Sequence, residues 1–252
     1  MNLKRLYLEK NLCYKTGEII KPAGIMVHST GANNPNLRRY VPIPTEPINS
    51  NNWNQPTPGG RKVCVHAFIG KLQDGTVATY QTLPWSMRGW HSGSGSKGSA
   101  NKNYIGFEIC EDGLNNKEYF EAVYKEAVEL CIFLCKKFEI KVENIICHSE
   151  GYKMGIASNH ADVMHWFPRF GKSMETFRAE VKKGLEDEVK SMTKEELKEF
   201  IEATVKQMGV GEPADAWAKS VVESVNFSDG SNPKKLATRQ EVMVMINRAI
   251  NC

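Results

Sequence analysis

No stretch of this chain approaches the roughly 20 consecutive apolar residues of a membrane-spanning helix, so the sequence offers no such span. The opening MNLKRLYLEKNLCYKTGEII lacks the long apolar core and small-residue cleavage site of a secretory leader. The expectation is a chain made in the cytosol, with any action outside depending on release by another component. Charge of one sign is also scarce: 33 Lys and Arg stand against 29 Asp and Glu, a net +4. Residues 192–252 hold eight basic and nine acidic side chains, so the mild positive bias sits in the first 191 residues. With no basic stripe and no interleaved aromatics, nucleic acid is not an expected partner. The seven cysteines contain no CxxC pair, and their odd number fits poorly with a closed disulfide framework. Cys64, Cys110 and Cys147 lie inside apolar runs and read as small buried hydrophobes of a reducing compartment. HExxH and GxSxG are both missing, and GSGSKGS (93–99) lacks the ending of a phosphate-binding loop.

What is present is an ordinary globular composition, 41% hydrophobic and 25% charged, in a length of 252 residues that suits one main domain with an appendage. GIMVHST (24–30), VCVHAFIG (63–70), YIGFEIC (104–110) and NIICHSE (144–150) read as strands, and LQDGTVATYQTL (72–83) carries an Asp-Gly hairpin signal. Residues 33–62 are Asn- and Pro-rich, a long loop with one short helix near Leu37–Tyr40. Residues 92–103 read as a flexible Gly/Ser loop. In 117–138, Phe120, Val123, Tyr124, Ala127, Leu130, Cys131, Leu134 and Phe138 share one helical face. A helix over 173–190 runs into a charged linker. Strands alternating with helices give an α/β class with a mixed central β-sheet flanked by helices. Beyond the linker, TKEELKEFIEATVKQMG and TRQEVMVMINRAI read as two amphipathic helices, opened by capping boxes at Thr193–Glu196 and Thr238–Glu241. The domain expectation is 1–178 for the main domain, 179–191 for the linker and 192–252 for a small helical module.

Two histidines hold equivalent places: His28 and His148 each follow an apolar strand. A lone histidine beside an apolar run is usually structural, but two at the ends of strands in one sheet converge on a metal if a third ligand exists. Glu150, His160, Asp162 and His165 are the candidates, and the local pattern does not choose among them. Two histidines and a carboxylate would leave a zinc position open for water. Glu108 is the second anomaly, a carboxylate within an apolar strand: either an edge residue facing solvent or a general base tuned by a dry pocket.

The segments MVHST, VHAFIG…DGTV, LPWSMRGWHSG, NYIGFEICED and HSEG…SNHADVMHWFP, in this order, resemble the zinc-dependent N-acetylmuramoyl-L-alanine amidases of the amidase-2 type, whose fold the peptidoglycan recognition proteins share. The resemblance covers about 24–178 and is nearest to phage and prophage endolysins. It implies zinc ligands at His28, His148 and Asp162, a catalytic glutamate at Glu108, and His160 in the place of a lysine that stabilises the transition state. Since His160 departs from that lysine, His160 and Asp162 both stay open as the third ligand. The resemblance also implies that His66, Trp90, His91 and Asn159 meet substrate, and it leaves His165 structural. The implied reaction is zinc-assisted hydrolysis of the amide between N-acetylmuramic acid and L-alanine in bacterial peptidoglycan, by an enzyme that reaches the wall after holin-dependent release. A recognition protein that binds peptidoglycan without cutting it is the alternative. Residues 217–250 resemble wall-anchoring segments of the S-layer-homology kind, which implies a wall-binding module, with a dimerising or stabilising module as the other reading.

Overall fold

The apolar runs at Ile25–Val27 and Ile105–Ile109 pair at the centre of a six-stranded sheet. The computed structural model describes residues 1–191. Its strands are β1 (Leu3–Arg5), β2 (Gly24–Asn33), β3 (Ala67–Lys71), β4 (Val77–Gln81), β5 (Tyr104–Glu111) and β6 (Ile145–Cys147), in the order β1-β4-β3-β5-β2-β6. The β3–β4 hairpin is antiparallel and every other pairing is parallel, so the sheet is mixed. The helices are α1 (Leu12–Thr16), α2 (Lys117–Phe138), α3 (His148–Lys153) and α4 (Met174–Ser191). Residues Met1–Lys182 form one compact unit. No described helix is long and apolar enough to cross a membrane.

Strand alternation assigns the two faces of the sheet. Thr79, Ile69 and Ile109 share a face by register, and the Thr79 hydroxyl donates to the Glu126 carboxylate of α2 at 2.8 Å, so α2 covers that face. Of the expected α2 face, Phe120, Val123, Tyr124, Ala127, Leu130, Cys131 and Leu134 are buried, and Phe138 is half-buried at the helix end. The opposite face carries Phe68, Tyr80 and Cys110, packed under Leu37, Tyr40, Val41 and Ile43 from the long 33–62 segment. On the same face Met26 and Tyr104 pack with Ala100, Ile146 and Ala157. Between Phe68 of the first cover and Met26 of the second, the register leaves Glu108 and His28.

Three local expectations differ from the structure. The strand over 63–70 begins only at Ala67; before it, Cys64 makes an isolated bridge to Trp90. Residues 148–150 open helix α3 instead of extending β6. Glu150 is the cause: its carboxylate accepts the Cys147 N–H at 3.0 Å, and Arg178 of α4 donates to both of its oxygens at 3.0 Å. Residues 92–103 are pinned, because the Asn101 side-chain oxygen accepts from the backbone N–H groups of His91 and Ser92 and from the Ser92 hydroxyl. The N-terminal strand β1, pairing with β4, was not apparent from its short polar sequence. The expected 3₁₀ or helical turn near Leu37 is present over Leu37–Arg39. All six cysteines among the described residues are buried and unpaired. The two C-terminal amphipathic helices, their capping boxes and Cys252 lie outside the described residues.

Candidate metal centre

His28 and His148 meet because β2 and β6 are parallel neighbours. Val27 pairs with Cys147, so the residues that follow them stand at the same level. His28 is still in β2, whereas His148 is the first residue of α3. Their Nδ1 atoms stand 3.2 Å apart. Asp162 arrives from the turn Asp162–His165 and sets Oδ2 at 3.2 Å from His28 Nδ1 and 2.9 Å from His148 Nδ1. Asp162 adopts a left-handed backbone, φ 46°, the sort of strained local conformation that gathers at functional sites.

The three atoms form a nearly equilateral triangle. Tetrahedral zinc, with ligands at about 2.0–2.2 Å, spaces its donors about 3.3–3.6 Å apart. The edges of 2.9–3.2 Å therefore need only a small opening to seat an ion. Donor chemistry fits as well, two imidazoles and one carboxylate being a set that suits zinc. Burial lowers the basicity of His28 and favours the neutral, ligating form. At Asp162 burial acts to raise the carboxyl, but the facing rings of His148 and His28 outweigh it and hold the group far below the usual carboxylate range.

The remaining edges of both rings are occupied. His28 Nε2 lies 3.0 Å from His91 Nδ1, and His91 Nε2 lies 3.2 Å from the Tyr104 carbonyl oxygen. His148 Nε2 lies 3.2 Å from the Ser158 hydroxyl. Outer contacts of this kind orient metal-binding imidazoles.

Glu108 pairs with His28 across β2 and β5. Its Oε2 is buried without a hydrogen-bond partner, and burial, with the neighbouring charges of Asp162 and Glu111, pushes the carboxyl well above its ordinary range. A buried oxygen left without a partner is costly, and groups of this kind are concentrated at functional sites.

The other expected residues separate clearly. His160 is exposed; its ring centroid is 4.7 Å from that of His148, and its Nδ1 is 3.1 Å from the Ser158 hydroxyl, at the rim of the cluster. Asn159 is exposed beside it. His66 does not line a groove: it is fully buried, its Nε2 is 2.7 Å from the Met87 carbonyl oxygen and its Nδ1 accepts the Gly106 N–H at 3.0 Å. Trp90 is half-buried and packs on the cluster of Leu8, Cys13, Cys64 and Leu83. Glu150 is committed to Arg178, and His165 to Glu111 at 3.0 Å, so neither reaches the triangle. Ser158 was missed by sequence reasoning; its position two residues before His160 carries no signal of its own.

A cluster able to hold a metal ion, beside a half-buried glutamate with one buried and unpaired oxygen, where β2, β5 and β6 run parallel, defines a candidate metallohydrolase of the α/β class. The chain belongs to the N-acetylmuramoyl-L-alanine amidase family of the amidase-2 type, whose family model matches residues 20–165. It is similar to the N-acetylmuramoyl-L-alanine amidase CwlH of Bacillus subtilis (strain 168), 26% identical over 152 residues, covering 60% of this chain and 53% of that protein. It is also similar to the N-acetylmuramoyl-L-alanine amidase CwlA of a Bacillus species, 33% identical over 70 residues, 28% of each chain. The matched stretch thus spans about half the length of the first relative and about a quarter of the second. Among solved structures, a mutant of PlyL gives a TM-score of 0.51 at 21% identity, covering 72% of this chain and 99% of that one. The catalytic domain of XlyA gives 0.50 at 20% identity, covering 72% and 99%. These two likenesses bear on the fold.

Proposed function

We propose that this protein is a zinc-dependent N-acetylmuramoyl-L-alanine amidase, an endolysin that hydrolyses the bond between N-acetylmuramic acid and L-alanine in bacterial peptidoglycan. The observation that carries the reading is the triangle of His28 Nδ1, His148 Nδ1 and Asp162 Oδ2, in a chain of this family. In this reading those three residues are the metal ligands, and His160 is not one. Zinc supplies a Lewis acid and an acidified water. Glu108, raised above its ordinary range by burial, takes the proton of the attacking water and returns it to the departing L-alanine nitrogen. His160, exposed at the rim, donates a hydrogen bond to the oxygen that gains charge as the amide carbon becomes tetrahedral. Asn159, beside it, contacts the glycan or stem peptide.

Residues 192–252 serve in this proposal as a wall-binding module joined by the charged helix end. The enzyme acts on the wall after holin-dependent release. The test combines metal counting with digestion. One zinc per chain, new L-alanine amino termini from purified peptidoglycan and no new reducing sugars are expected. Zinc with no new termini on several wall types would leave a recognition protein instead. No zinc would remove the metal reading.

A further inference from the structure

We infer that His91 is a positioning residue that fixes the tautomer of His28, through a two-histidine chain anchored on the Tyr104 carbonyl. This rests on the reading of His28 as a ligand through Nδ1. A backbone carbonyl accepts and never donates. The Tyr104 oxygen, 3.2 Å from His91 Nε2, therefore requires the proton on that nitrogen. A neutral His91 then has its lone pair on Nδ1. That lone pair faces His28 Nε2 at 3.0 Å, so His28 Nε2 carries the proton and donates. The lone pair of His28 is left on Nδ1, the atom that faces Asp162 Oδ2 and His148 Nδ1. The chain end thus decides, two rings away, that an acceptor and not a proton points into the triangle.

The fold makes room for this chain. Gly106 lies in β5 under the His91 ring, and a Cβ there would sit 2.4 Å from His91 Nδ1. The approach is too close for any side chain, so a glycine is required at this position. Above, the His91 backbone N–H donates to Asn101 Oδ1 at 2.8 Å, which fixes where the ring enters. Both ring nitrogens of His91 are engaged, one by His28 and one by Tyr104, and none is left for substrate. His91 therefore acts through His28, and the expectation that it meets substrate gives way to this role.

The first measurement uses the intact wild-type chain. Long-range proton–nitrogen correlation of histidine rings is expected to show His91 protonated on Nε2 with and without zinc, and His28 protonated on Nε2 in the zinc-loaded chain. A proton on Nδ1 of a neutral His91 in either state, a proton on Nδ1 of His28 in the zinc-loaded chain, or a doubly protonated His91 overturns the inference. The His91 readout does not need bound metal, so it tests the anchor on the Tyr104 carbonyl even if the zinc reading fails. The second measurement is zinc affinity by chelator competition. His91→Phe, which keeps the ring volume and loses both nitrogens, is expected to weaken zinc binding about 10–100-fold, the range for loss of an outer-shell partner. It also releases His28 into mixed tautomers. His91→Gln, which keeps an acceptor and a donor, is expected to recover most of the affinity. Wild-type affinity in His91→Phe, with a single His28 tautomer, overturns the proposal. If His91→Phe does not fold, the wild-type spectra and His91→Gln decide.

Discussion

Glu108 and His28 face each other directly across β5 and β2, in parallel register and on the same side of the sheet. The pairing sets a carboxylate with a partnerless oxygen beside the candidate metal ligand, and it makes the role of each separable by experiment.

Glu108→Gln keeps the shape and removes the charge. Turnover is expected to fall about 100- to 10,000-fold, the range for loss of a general base, with zinc content unchanged. Equal turnover in the variant would take Glu108 out of the reaction.

The same substitution carries a stability prediction with a defined pH window. The folded carboxyl is raised, first by burial and then by Asp162 and Glu111, whereas the unfolded one titrates near about 4.3. Below the unfolded value both states hold the proton, and the residue costs nothing. As pH rises past it, the unfolded state ionises first and gains, so the wild type loses stability that the glutamine variant keeps. Metal-free Glu108→Gln is expected to melt higher than metal-free wild type at pH 7, each 1 kcal/mol giving about 2–4 °C in a chain of this size. The difference is expected to vanish near pH 4. A lower melting temperature for the variant at pH 7 would contradict the burial argument.

Asp162→Ala and His160→Ala test which residue is the third ligand. The alanine at 162 is expected to weaken zinc by more than about 100-fold, beyond the usual loss for an outer contact. The alanine at 160 is expected to keep zinc and lose about 100- to 1,000-fold in turnover, as for removal of an oxyanion donor. The reverse pattern would make His160 the ligand.

Zinc removal is expected to lower the melting temperature as well as to abolish hydrolysis, because an ion that binds only the folded chain stabilises it by about 2.7 kcal/mol at a hundred times its dissociation constant. Full-rate wall digestion by protein verified as metal-free would remove zinc from the mechanism.

Deleting residues 192–252 is expected to leave an active amidase that binds intact walls more weakly in a pelleting assay. Unchanged binding would show that the anchor lies elsewhere.

Much of the site was visible in the sequence because its residues interrupt apolar patterns. His28 follows Ile25–Val27, Glu108 sits among Ile105, Phe107 and Ile109, and the α2 period of 3.6 is carried by large apolar side chains. His66 was misjudged for a physical reason. Its position in the alternation puts it on the same side of the sheet as Phe68 and Glu108, but the segment around Met87 closes over it and supplies the carbonyl it binds. That cover comes from about twenty residues further along, where no local pattern announces it. The start of α3 at His148 was hidden likewise, since it depends on Arg178 of α4 holding Glu150. That Asp162, and not Glu150 or His165, joins the two histidines became legible only when each rival had a partner of its own.

The triangle draws on segments far apart along the chain: His28 is 120 residues from His148 and 134 from Asp162. An ion held there acts as a clasp, closing loops whose ends an unfolded chain would seldom bring together. Its departure loosens the turn carrying Asp162, tied at one side by the ion and at the other by aromatic packing of Trp166 on Phe120. Limited proteolysis should then open the chain first around residues 158–164, turning loss of a cofactor into loss of the polypeptide itself.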